Sequence, residues 1–68
     1  MIVRLSSRWS DKLLTLPETG MGYQRVNVLL KSGKVITDLV VENAEELNVP
    51  DDVEQFREGD IENIELSK

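Results

Sequence analysis

Apolar and polar residues alternate most regularly in the middle of the chain, over Tyr23–Lys31 and Lys34–Glu42. A period of two marks a strand with one buried face. Ser32-Gly33 separates the two runs, and glycine takes the positive φ that a tight hairpin turn requires. With Leu30 set opposite Val35, the next pairs are Val28 with Thr37, Val26 with Leu39, and Gln24 with Val41. One face then gathers Val26, Val28, Leu30, Val35, Leu39 and Val41. The other carries Arg25, Asn27, Asp38 and Glu42, with Leu29 opposite Ile36 near the turn. A slip of one residue would set Val26 against Asp38 and Leu30 against Lys34, so the hydrophobic pattern selects the first register.

The flanks are less regular. Met1–Leu5 reads as a first strand at a sheet edge, with Arg4 its only charged side chain. In Ser6–Leu16, Ser10 can cap a helical turn, but Leu14 and Leu16 alternate around Thr15 and Pro17 bars helical continuation. The reading taken is a loop followed by a short strand, Lys12–Leu16. Asn43–Glu58 is acidic and turn-rich. Within it, Pro50 followed by Asp51, Asp52 and Glu54 matches the first turn of a helix, with Val53 and Phe56 spaced to reach the core together. Gly59-Asp60 opens a last strand, Ile61–Leu66, with Ile64 and Leu66 facing inwards. These elements predict a single mainly-β domain: a small SH3-like or Sm-like bent sheet or partly open barrel with one short helical turn.

Composition narrows the chemistry. A chain of 68 residues buries only about 60% of its unfolded surface, so its core is small. It has no cysteine to form disulfides or thiolate metal sites, and no histidine to serve as general base or metal ligand. Association with a second copy is the remaining way to add buried area, and a homo-oligomer is expected. No apolar run exceeds three residues, against roughly 20 for a membrane helix and about 7 for a signal peptide. The expectation is a cytoplasmic, bacterial-type protein with no membrane partner and no targeting segment.

Charge is distributed unevenly. Residues 1–34 hold six cations and two anions, net +4, whereas residues 35–68 hold two cations and eleven anions, net −9. Such a split points either to an interaction surface or to pairing between the halves of one fold. The carboxylates from Glu42 to Glu62 lie among turn residues and lack calcium-loop spacing, so they read as a solvated face. Serines and threonines are present without a histidine to activate them, and Gly20-Met21-Gly22 is too short for a phosphate loop. The expected protein is not an enzyme and holds no cofactor or metal. Arg4, Arg8, Arg25 and Arg57, with Trp9 or Tyr23 to stack bases, form the candidate set for a nucleic acid. The overall charge of −5 repels a polyanion, which favours pairing between the halves. Glu18 and Tyr23, in the Pro17–Tyr23 turn, with Trp9 and Arg25 form the candidate set for a protein partner, because surface loops on rigid scaffolds carry function.

Two resemblances add to this. Leu16–Gln24, containing Pro17-Glu18-Thr19-Gly20-Met21-Gly22-Tyr23, resembles a family of small uncharacterised bacterial proteins and implies a stand-alone domain with no assigned activity. Val26–Asn43 is similar to the first motif of Sm-like RNA-binding proteins, and Arg57-Glu58-Gly59-Asp60-Ile61 is similar to their second. That resemblance implies a small barrel and, at Arg57 and Gly59, the ligand-contacting pair. Asp38 and Leu39 stand in place of the first motif's second glycine, and Glu58 separates Arg57 from Gly59.

Overall fold

The structure, a computed structural model, describes residues 1–67. Five strands form one antiparallel sheet: β1 (Ile2–Arg4), β2 (Tyr23–Leu30), β3 (Val35–Glu42), β4 (Glu46–Asn48) and β5 (Ile61–Leu66). Their order is β1-β4-β3-β2-β5, and the sheet curls into a half-barrel, the mainly-β small barrel expected from the sequence. One helix, α1 (Ser7–Leu14), and a 3-10 turn, Glu58–Asp60, complete the described chain. No helix among the described residues is long and apolar enough to cross a membrane.

The central hairpin forms where the alternation placed it. Gln24 faces Val41 and Val26 faces Leu39, as the pattern requires. Beyond Val26 the pairing departs from the simple ladder: Val28 faces Ile36, and Leu29 faces Val35. Two residues of β3, Thr37 and Asp38, therefore oppose the single Asn27. Asp38 takes φ +59°, and its N–H donates to the Asn27 carboxamide oxygen at 2.9 Å. A bulge of this kind bends its strand and increases the local twist. It also exchanges the faces of everything nearer the turn: Ile36 goes inside at 6% exposure, and Val35 goes outside at 54%. The expected inward place of Val35 is thus taken by Ile36. A second irregularity, between Leu29 and Leu30, sets Leu30 opposite Ile61 and Leu29 opposite Asn63. It lets Ile61 and Ile64, three apart, both face the core, with Leu66 partly buried beside them.

Ser6–Leu16 is mostly helix, not a loop with a strand. Trp9 and Leu13, four apart, stack on one face and are both buried, which is the helical spacing. Leu14 falls off that face and is 70% exposed. Ser6 occupies the N-cap, and the Glu58 carboxylate accepts its backbone N–H, supplying an acid that the helix's own first turn lacks. Pro17 follows two residues after Thr15, which caps the C-terminus, so it ends the helix without interrupting it.

Pro50 begins a turn rather than a helix, closed by the Val53 N–H on the Pro50 carbonyl at 3.3 Å. Phe56 still reaches the core, and the helical turn lies later, at Glu58–Asp60. Within the acidic stretch, Glu46–Asn48 forms the short β4 that pairs with β1 and β3, burying Leu47 completely. Asn43 and Ala44 join it to β3 with φ of 54° and 58°, the left-handed pair that a type I′ turn needs. The core that results draws on all five strands and α1, from Val3 and Trp9 to Ile64, with Phe56 added from the loop before β5.

Candidate interaction site

Residues 15–22 connect α1 to β2, and 17–22 of them form a closed, hydrogen-bonded loop. Thr19 and Gly20 both donate their N–H to the Tyr23 carbonyl, at 2.9 and 3.2 Å, and the Tyr23 N–H returns to the Gly20 carbonyl at 3.3 Å. A Glu18 carboxylate oxygen accepts the Gly22 N–H at 2.9 Å, and the Thr19 hydroxyl accepts the Arg25 N–H at 2.8 Å. The Gly22 carbonyl accepts the Asn43 N–H at 2.9 Å, fastening the loop to the β3–β4 turn. Gly22 sits at φ +80°, a conformation that L side chains rarely adopt. At Gly20 the demand is spatial instead: a Cβ there would lie 2.3 Å from the Tyr23 ring, which lies against the bare glycine. With its neighbours held in this way, Met21 stands at the tip, 98% exposed.

Behind the loop, Gln24 is 3% exposed, and its carboxamide nitrogen donates to the carbonyls of Leu13, Leu16 and Pro17 at 2.9, 3.3 and 3.3 Å. These oxygens belong to the end of α1 and the chain just after it. The strand therefore caps the helix and fixes the loop's starting point.

Tyr23 and Gly22 border two shallow depressions. One, of about 450 Å³, is lined by Leu13, Leu14, Leu16, Glu18, Gln24, Asn43 and Ala44. The other, of about 310 Å³, is lined by Met21, Arg25, Val40 and Glu42. Of the residues singled out in the sequence for a protein partner, Glu18, Tyr23 and Arg25 come together here. Trp9 does not: it is 5% exposed, with the Arg8 guanidinium 4.8 Å from its ring centroid. A ring so placed cannot stack on a base or a partner without leaving the core.

The arginines named for a nucleic acid are dispersed, and two of the four are ion-paired. Arg4 on β1 pairs with Glu46 at 3.4 Å, and Arg25 on β2 pairs with Asp38 at 3.2 Å, with β4 and β3 lying between the two strands. Arg57 precedes the 3-10 turn; its backbone N–H donates to the Asp60 carboxylate at 3.0 Å, and its guanidinium joins no ion pair among the described residues. Lys34 with Glu54, at 3.3 Å, and the Met1 ammonium with Asp51, at 3.8 Å, complete the ion pairs of the described residues. Each of the four joins the basic half of the chain to the acidic half.

Met21, Leu14 and Val40 were not among the residues chosen from the sequence. Met21 carried a usable signal, since an apolar residue between two glycines has no strand or helix face on which to be buried. Among the described residues, no group of three or more carboxylates comes together closely enough to hold a metal ion. The chain matches no protein-family model, no curated protein and no solved structure.

Proposed function

We propose that the protein is a non-enzymatic interaction and assembly module, binding a protein partner at the Met21 loop and associating with itself, in the cytoplasm. The observation that carries this reading is the full exposure of Met21 on a loop whose neighbours are fixed by hydrogen bonds. A pre-formed loop loses little entropy on binding, and a thioether adapts to irregular apolar surfaces. Self-association is supported by the β1 edge. Met1 and Val49 exchange both backbone hydrogen bonds at 2.8 Å, and the Leu5 N–H reaches the Glu45 carbonyl at 2.8 Å. By strand alternation, Ile2 and Arg4 then direct their N–H and C=O groups away from β4. Both residues are exposed, leaving an open edge on which a second strand can pair. The nucleic-acid reading has less support, because Trp9 is buried and Arg4 and Arg25 are ion-paired.

Sedimentation equilibrium combined with amide exchange tests both parts. A concentration-dependent dimer is expected at micromolar protein, with Ile2 and Arg4 amides gaining protection as it forms. Partner proteins recovered at low salt and then purified are expected to bind Met21→Ser at least tenfold more weakly than the parent chain. A monomer at high concentration, together with partner binding indifferent to Met21→Ser, would overturn the reading.

A further inference from the structure

We infer that the surface around Tyr23 accepts a basic, apolar segment of a partner protein: an apolar side chain against Leu14, Met21 and Val40, flanked by lysine or arginine. The inference rests on the interaction reading and adds the chemistry of the occupant. Leu14 and Met21 are 70% and 98% exposed and lie on either side of the Tyr23–Gly22 boundary. Two exposed apolar side chains beside a half-buried ring are a concentration of apolar surface that a partner can cover.

Among the described residues, the charges that line this surface outside any ion pair are negative. Glu18 lines the first depression and Glu42 the second. Each carboxylate accepts one hydrogen bond from a neutral donor, Gly22 N–H for Glu18 and the Asn48 carboxamide for Glu42, and among the described residues neither pairs with a cation. Arg25 is the cation of the second depression, and Asp38 already holds it at 3.2 Å. Lys12, the basic residue in the last turn of α1, turns instead to Asn63 at 2.7 Å. The C-terminal end of α1 beside the first depression adds a small negative potential of its own. An acidic partner would be repelled here. A basic one would be drawn in and then held by apolar contact.

Methyl and amide chemical-shift titrations of the isotope-labelled chain test the inference with three additions: a short Leu/Lys peptide, the same peptide with glutamate for lysine, and unlabelled protein. The Leu/Lys peptide is expected to shift the Met21, Leu14 and Val40 methyls, to bind at least tenfold more tightly than the Leu/Glu peptide, and to weaken with added salt. Glu18→Gln and Glu42→Gln retain an oxygen for the hydrogen bonds but lose the charge, and each is expected to weaken binding about threefold. Equal affinity for the two peptides would overturn the charge preference and leave an interaction site standing. Met21 shifts produced by unlabelled protein alone would overturn it by assigning the surface to a second copy. No shift at Met21 with any addition would overturn the docking surface itself.

Discussion

Gly20 and Tyr23 form a pair in which the absence of one side chain makes room for the other. A β-carbon at Gly20 would lie 2.3 Å from the Tyr23 ring, so Gly20→Ala must displace that ring. The expected outcome is a loss of about 1–3 kcal/mol in urea denaturation, the usual cost of overpacking. In a Tyr23→Ala background the same substitution should cost almost nothing, and a double-mutant cycle reads the difference as coupling. Additive effects would show that the ring is not held against the glycine. The glycines of this loop were legible as a turn, but the ring contact was not, because one-dimensional spacing carries no information about what lies over a residue. Gln24 makes the same point. Its place opposite Val41 followed from alternation, whereas its hold on the end of α1 depends on a helix that the pattern did not disclose.

The elements divide according to how strongly a single period dominates each. β2 and β3 are eight residues each with a clear two-residue period, and their pairing was readable up to Val26. The bulge was not readable, because Val35 and Ile36 are equally apolar and either can serve as the buried member. Their environments now separate them. Val35→Asp is expected to leave stability within about 0.5 kcal/mol, as exposed substitutions do. Ile36→Asp places a charge in the core and is expected to remove the cooperative thermal transition. Similar melting curves for the two variants would refute the shifted register. In α1 the Trp9–Leu13 spacing was the true signal, and the adjacent Leu14-Thr15-Leu16 alternation obscured it. At three residues, β4 is too short for any period to show, and it exists because β1 and β3 both supply edges for it.

At the scale of the whole molecule, the charge split seen in the sequence is used internally. Arg4–Glu46 and Arg25–Asp38 carry it between strands and Lys34–Glu54 between two connecting segments, although exposed pairs of this kind contribute only about 0–1 kcal/mol each. Three cations are thereby held by carboxylates, and the net charge of −5 remains to repel phosphates. No measurable binding of single-stranded RNA or DNA is expected near physiological salt. Micromolar binding in a fluorescence titration, falling steeply with added salt, would reverse that reading. The topology that brings the halves together also orders events in time. The N-terminal segment takes its partners from far along the chain: Met1 from Val49, Ser6 from Glu58, and Lys12 from Asn63, separations of 48, 52 and 51 residues. The β2–β3 hairpin closes over a short turn, so its loop-closure cost comes first and is small. Folding is therefore expected to start in the middle and end at the beginning of the sequence, with β1 and α1 docking last. Val28→Ala in the hairpin should slow refolding, whereas Val3→Ala in β1 should mainly accelerate unfolding, so the two arms of a chevron plot record the two halves of the assembly.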